Sequence, residues 1–150
     1  MIRVQTAPFD PHAETAAFTK GRGEAGALAT FIGSVRDNAH GAEVTSLELE
    51  AYPGFTEKQI AQIETDARSR FDVIDTLVIH RYGHMKVGEA IVFVAALSKH
   101  RREALQAVDY LMDRLKTEAP FWKKEVRPEG AEWIEPRADD RAAHERWDES

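Results

Sequence analysis

Cationic side chains gather at two places in this chain where folding alone gives them little reason to be. Lys99-His100-Arg101-Arg102 stands at the head of a long stretch of helical periodicity. A helix macrodipole disfavours cations in its first turn by about 0.3–1 kcal/mol each. Free amides of a helix N-terminus beside two or more cations suit a phosphate or carboxylate, which would remove the conflict. A solvated basic turn is the plain alternative. The second place is Lys116-Thr117-Glu118-Ala119-Pro120-Phe121-Trp122-Lys123-Lys124-Glu125, running from the end of the same helix through a proline into a strand-like piece. Lys116 alone asks for no function, because the dipole favours a cation in a last turn. Strand alternation, however, sets Phe121, Lys123 and Glu125 on one face and Trp122 and Lys124 on the other, so a lysine, an acid and an aromatic share a surface. Arg36, ending an apolar run at a Gly-containing loop, is a third candidate whose plain reading is a surface arginine.

Spacing constrains how these groups combine. Arg101 and Lys116 lie fifteen residues apart on one helix, roughly 22 Å along its axis. One small anion cannot touch both. If both serve one site, a second copy of the chain supplies one end, as an antiparallel two-fold dimer does. Other patterns carry less. Gly21-Arg22-Gly23-Glu24-Ala25-Gly26 has the glycines of a dinucleotide loop but sits after a helix and before a strand, the reverse of what that loop requires, and reads as a flexible connection. His80 and His84 on a strand are roughly 13 Å apart, too far for one metal, and no metal or cofactor is expected. His12, His40 and His144 read as surface residues, and Glu48 and Glu50 as solvated carboxylates on the wet face of a strand.

The elements that must position these groups alternate between strand and helix. Ile2 to Thr6 reads as a strand, and Pro11 to Lys20 as a helix capped by Asp10. Gly26 to Arg36 is nearly continuously apolar and predicts a central strand buried on both faces. Val44 to Tyr52 alternates, with Leu47, Leu49 and Ala51 on one face. Thr56 and Gln59 suggest a capping box for a helix over Glu57 to Phe71, with Ile60, Ile63 and Ala67 on its buried stripe. Thr76 to Tyr82 and Ala90 to Ser98 predict an antiparallel hairpin joined by a turn over Gly83 to Gly88. Ser98 is the expected N-cap of the long helix, whose apolar set is Ala104, Leu105, Val108, Leu111, Met112 and Leu115 and which stops before Pro120. Phe121 to Val126 and Glu132 to Glu135 read as two short strands. The polar segment from Pro136 is expected to be a partly mobile tail. The sum is one α+β domain over 1–150.

Composition narrows the function classes. The chain has 150 residues, 43% hydrophobic and 31% charged, enough for a real core. No cysteine is present, which removes disulfides, thiolate metal sites and a cysteine nucleophile; any sulfur chemistry uses sulfur from elsewhere. A formal charge of −6 and a pI near 5.5 argue against non-specific nucleic-acid binding. No apolar run approaches a membrane span and the first residues lack a signal-peptide core, so a cytosolic, cytoplasmic location is expected. A local basic cluster in so acidic a chain is therefore informative, and points to a small anionic substrate.

Phe31-Ile32-Gly33-Ser34-Val35-Arg36, Glu50-Ala51-Tyr52-Pro53-Gly54, His80-Arg81-Tyr82-Gly83, His100-Arg101 and the segment from Lys116 to Glu125 together resemble the molybdopterin synthase catalytic (large) subunit family. The resemblance implies an α/β hammerhead-type fold, a mixed and mostly antiparallel sheet packed with helices, plus short C-terminal strands. It implies a homodimer carrying a small ubiquitin-like sulfur-carrier subunit at each end, a heterotetramer in all. The carrier's C-terminal Gly-Gly thiocarboxylate would donate sulfur to cyclic pyranopterin monophosphate, forming the dithiolene of molybdopterin. By motif, Lys116 and Lys123 match the family's catalytic lysines. Ser34, Val35, Arg36, His100 and Arg101 match its substrate pocket, Lys124 and Glu125 complete the binding segment, and Arg137 stands where the family has a basic residue near the pocket. Ser34 replaces the lysine of the family's Gly-Lys-Val-Arg, removing one cation, and Phe55 stands where Met is usual. Rival readings are a module that docks the carrier without catalysis and a sensor of a phosphorylated metabolite.

Overall fold

The computed structural model, which describes residues 1–134 and 138–148, builds its α+β fold on two four-stranded sheets. In chain order the elements are β1 (Ile2–Gln5), α1 (Pro11–Thr19), β2 (Ala27–Ser34), β3 (Asn38–Ala39), β4 (Ala42–Glu43), β5 (Ser46–Ala51), α2 (Phe55–Arg70), β6 (Asp75–Arg81), β7 (Gly83–Lys86), β8 (Ala90–Ser98), α3 (Arg101–Glu118), β9 (Phe121–Arg127), β10 (Gly130–Ile134) and α4 (Ala138–Glu145). Among the described residues no helix is long and apolar enough to cross a membrane.

The first sheet runs β1-β6-β8-β2, with β1 parallel to β6 and the other pairs antiparallel. Alternation along β6 and β8 sorts their side chains onto two faces. Val78, Val92, Val94 and Ala96 pack with Ile60, Ile63 and Ala67 of α2 and with Ala104, Ala107, Leu111 and Leu115 of α3. Leu77, Ile79, Phe93 and Ala95 take the opposite face and meet Phe9 and Phe18, so α1 covers it. Burying such side chains stabilises by about 1.5–3 kcal/mol each, which is why this sheet holds the rest in place. The second sheet, β10-β9-β5-β7, is antiparallel throughout. Its smaller core is Val35, Leu47, Leu49 and Met85, flanked by Tyr82, Ile91 and Phe121. Phe121 also packs on the main core, so it joins the two.

Several expectations change. β2 is not central but an edge strand: Ala29 packs with the α2 and α3 side chains, whereas Leu28, Phe31 and Ile32 are exposed. An apolar run cannot by itself tell a strand buried in its own chain from one waiting for a partner. The link between β6 and β8 is more than a turn, since β7 within it pairs with β5 in the second sheet. The cap of α2 is Gly54 (φ 82°), whose N–H donates to Glu57 Oε2 at 2.7 Å; Thr56 is used elsewhere. α3 is preceded by His100, without a side-chain cap, while Ser98 Oγ accepts from the His100 N–H at 3.4 Å. Leu105 faces outward and Ala107 and Tyr110 take the buried stripe instead. Gly26 is required for close approach: its N–H donates to the Ser98 carbonyl at 3.0 Å, and a Cβ there would sit 2.3 Å from the Lys99 carbonyl oxygen.

Within the segment read as a polar tail, residues 138–148 form α4 and a following turn that dock on α3. Trp147 lies edge-on to Phe71 and Tyr110, with ring centroids 5.9 and 5.4 Å away, and its Nε1–H donates to Asp113 at 2.6 Å. Arg146 donates to Asp109 and Asp113. Glu135, the last residue expected in the final strand, and Arg137 lie outside the described residues.

Candidate active site

The last turn of α3 and the first residues of β9 are held in a fixed relation by a short polar chain. The hydroxyl of Thr56, fully buried, donates to the Pro120 carbonyl at 3.2 Å and accepts from the Tyr52 N–H at 2.9 Å. The Ala119 N–H closes the helix on the Leu115 carbonyl at 3.3 Å. Glu118 ties the helix end to its neighbours: Arg114 Nη2 donates to it at 3.0 Å and His144 Nε2 lies 2.8 Å away. Burial raises the Glu118 pKa, but Arg114 and then His144 outweigh that and hold the carboxyl below its usual range. Lys116 and Lys123 thus flank a braced turn rather than a loose loop.

Beneath that turn lies His80 of β6. Its ring stacks on Phe121, centroids 4.0 Å apart and planes 19° from parallel. Its Nδ1 is 3.0 Å from the Arg81 carbonyl oxygen. Burial pushes its pKa down to about 4; the Arg81 contact opposes this and the charge of Lys116 adds to it. Lys116 is therefore within electrostatic reach of a ring that packs on the strand bearing Lys123. Phe121, Lys123 and Glu125 share one face of β9, as alternation predicts.

Glu125 is buried, at 3% exposure, and its carboxylate reaches Arg127 at 3.0 Å and Lys123 at 3.6 Å. It faces inward, where it orients Lys123 instead of offering itself to a guest. Lys124 is on the opposite face, its ammonium 5.5 Å from the centre of the Trp133 ring, and Trp133 is edge-on to Trp122. Ser34 and Arg36 are exposed, while Val35 between them is buried in the smaller core with Leu47, Leu49 and Met85. Backbone bonds fix this end of β2: the Val35 N–H donates to the Glu89 carbonyl at 3.0 Å and the Gly88 N–H to the Val35 carbonyl at 2.8 Å. Because Phe121 packs on that same core, Arg36 and the Lys116/Lys123 turn belong to one region of the molecule.

His100 and Arg101 do not join them. They line an open groove of about 570 Å³ at the opposite end of α3, with Arg102, Glu103, Leu105 and Gln106. The fifteen-residue separation on one helix thus stands as a real distance within one chain. The arginines that serve the fold carry carboxylates: Arg3 meets Glu14, Arg22 and Arg68 meet Asp75, Arg81 meets Glu89, Arg114 meets Asp66, and Arg146 meets Asp109. Among the described residues Arg36, His100 and Arg101 have no carboxylate partner. Sequence reasoning missed His80, which it weighed only as a metal ligand. The usable signal was its place in His80-Arg81-Tyr82-Gly83, at the end of the apolar run Leu77-Val78-Ile79.

Comparison with known proteins fits this arrangement. The family model described as MoaE protein matches residues 4–118. A molybdopterin synthase catalytic subunit of Caulobacter vibrioides is 52% identical over 149 residues, covering 99% of this chain and 98% of that one. A molybdopterin biosynthesis MoaE protein from Burkholderia ambifaria superposes with a TM-score of 0.83 at 44% identity, covering 99% and 97% of the two chains. The crystal structure of molybdopterin synthase from Staphylococcus aureus does so with a TM-score of 0.81 at 31% identity, covering 89% and 96%. With the hammerhead-type α+β fold and the lysine-bearing turn already in view, these matches establish that the chain belongs to the MoaE protein family.

Proposed function

We propose that this chain is the catalytic, sulfur-transferring subunit of a cytosolic molybdopterin synthase, working as one domain. The reaction moves sulfur from the C-terminal thiocarboxylate of a small ubiquitin-like carrier to cyclic pyranopterin monophosphate. The observation that carries the reading is the contrast among cations: arginines that hold the fold are paired with carboxylates, whereas among the described residues Arg36, His100 and Arg101 are not. Exposed cations without partners favour a guest with a phosphate, and the chain's lack of cysteine fits sulfur that arrives on another protein.

In this reading the carrier sulfur attacks an electrophilic, oxygen-bearing carbon of the pterin side chain; the new carbon–sulfur bond replaces a carbon–oxygen bond there, and the departing oxygen takes up a proton as it leaves. Water then cleaves the acyl–sulfur bond, returning the carrier as a carboxylate and leaving sulfur on the pterin; a second transfer completes the dithiolene. Lys123, oriented by Glu125, stabilises negative charge on the acyl oxygen during cleavage. Lys116 serves as proton donor or electrostatic partner at the pterin side chain. Arg36 and Ser34 hold the phosphate side, Ser34 through its hydroxyl or backbone in place of a cation. Val35 anchors that loop to the core, and Lys124 guides the approach of the carrier tail.

The exposed, apolar edge of β2 supports a two-fold arrangement. This strand begins beside Ser98, next to His100 and Arg101, and ends at Ser34. An antiparallel contact between the apolar β2 edges of two copies sets the His100/Arg101 end of one protomer beside the Arg36 end of the other. Eight residues of strand span roughly 27 Å, comparable to the distance that separates Arg101 from Lys116. The site is then shared. Purified chain, thiocarboxylated carrier and cyclic pyranopterin monophosphate are mixed, and dithiolene is measured; no product, or product without the carrier, rejects this function. Binding of carrier without product would favour a docking module instead.

A further inference from the structure

The buried charges and rings outside the named site are mostly accounted for by the fold. Arg81 is saturated by Glu89, the Thr6 carbonyl and the His84 carbonyl. His80 is different, because it is polar, its ring stacks on Phe121 of the turn that carries both lysines, and among the described residues only its Nδ1 is engaged in a hydrogen bond. A carbonyl oxygen only accepts, so the contact of Nδ1 with the Arg81 carbonyl puts the ring proton on Nδ1. Nε2 then carries a lone pair. The charge that acts on this ring is that of Lys116 on α3; Arg81, its neighbour on β6, is turned to its own partners.

We propose that His80 is a positioning residue for the reaction: a neutral imidazole that stacks under Phe121 and turns the Nε2 lone pair toward the side from which Lys116 acts. This rests on the reading of Lys116 given above. Three features make the arrangement specific. The near-parallel stack on Phe121 fixes the ring plane, and a stacked aromatic pair contributes about 0.5–1.5 kcal/mol beyond its buried area. The Arg81 carbonyl fixes the tautomer. The depressed basicity of the ring, caused by burial first and by Lys116 last, keeps it uncharged at neutral pH. An uncharged acceptor favours the ammonium form of the nearby lysine, whereas a second cation there would oppose it. A phenylalanine would serve the stack equally well, so stacking alone does not explain a histidine.

The test uses the full chain with thiocarboxylated carrier and cyclic pyranopterin monophosphate, comparing wild type, His80→Phe, His80→Gln and His80→Asn. His80→Phe keeps a ring on Phe121 and loses both nitrogens. It is expected to bind carrier normally, with KM for the pterin unchanged, kcat lowered about tenfold and the alkaline limb of the kcat–pH profile moved to lower pH. His80→Gln, which returns an acceptor near the Nε2 position, is expected to recover most of the loss. His80→Asn keeps the donor to Arg81 without Nε2 and should be as slow as His80→Phe, which preserves the test if the Phe variant misfolds. Wild-type kcat and pH profile in the Phe and Asn variants, or a Gln variant no faster than either, overturns the inference. An inactive wild-type mixture instead rejects the proposed function and leaves these comparisons without a reaction to read, so the two failures are distinct.

Discussion

Replacing Glu125 by Gln keeps the side-chain volume and removes one buried charge. Its carboxylate holds Arg127 at 3.0 Å and Lys123 at 3.6 Å, and the residue is only 3% exposed. Removing one member of a buried ion pair costs about 3–5 kcal/mol when the other charge is stranded. Here neither is fully stranded. Arg127 keeps Glu132 at 2.6 Å, and the Lys123 side chain is 42% exposed and can turn to water. The expected loss is therefore about 1–3 kcal/mol, or roughly 3–10 °C in Tm for a chain of this size. Thermal unfolding followed by circular dichroism reads the loss, and a double-mutant cycle apportions it. Coupling between 125 and 127 should exceed that between 123 and 125, which is a longer and partly solvated contact worth under about 1 kcal/mol. Turnover should fall through kcat more than through KM, because Lys123 loses its orientation while the cations that bind phosphate remain. An unchanged Tm, or a 123–125 coupling larger than the 125–127 one, would refute the reasoning.

Acid weakens the fold through His80: with an ordinary value of 6.5 and a folded value near 4, the native state resists a proton that the unfolded chain accepts. Stability is thus fully present above about pH 6.5 and falls toward pH 4 by up to about 3 kcal/mol; urea titrations across that range should show a shallower slope for His80→Phe, and identical slopes would contradict the assignment. Phe31→Glu on the exposed β2 edge should shift the protein from dimer to monomer in sedimentation and abolish turnover while leaving the monomer folded. Mixing Lys116→Ala with Arg101→Ala protomers should restore about a quarter of wild-type activity, since half the dimers are mixed and each holds one intact site; no recovery would place both residues in one chain's site. Trp147→Ala should free α4, read as faster hydrogen exchange over 138–148 with a loss of about 1–3 kcal/mol, less than a fully buried tryptophan because Trp147 is only half-buried.

The helices and their buried stripes were legible because spacing of Ile60, Ile63 and Ala67, or of Ala104, Val108 and Leu111, admits one periodicity. The α+β class followed from alternation in β5 and from the β-branched, apolar runs of β6 and β8, set between periodic helices. The edge position of β2 did not, since an exposed edge strand and a core strand can have the same composition. Both helix starts were misplaced by two residues because Thr56 and Ser98 have the chemistry of caps but donate their hydroxyls to tertiary partners, the Pro120 and Asp72 carbonyls respectively. The lysine turn could be read from Lys116, Pro120 and Lys123 in order. His80 could not, because its importance comes from α3, β6 and β9 meeting in space, which no spacing along the chain expresses. The turn taken by Glu125 toward Arg127 was likewise hidden, since alternation gives the face of a side chain and not its partner.

The most direct test is single-turnover dithiolene formation by wild type, Lys116→Ala and Lys123→Ala, each with thiocarboxylated carrier and cyclic pyranopterin monophosphate and each shown to bind the carrier. Cooperation of the two lysines around one anionic guest predicts that either replacement slows sulfur transfer by about a hundredfold or more. Undiminished transfer in either variant, with carrier bound, would contradict it.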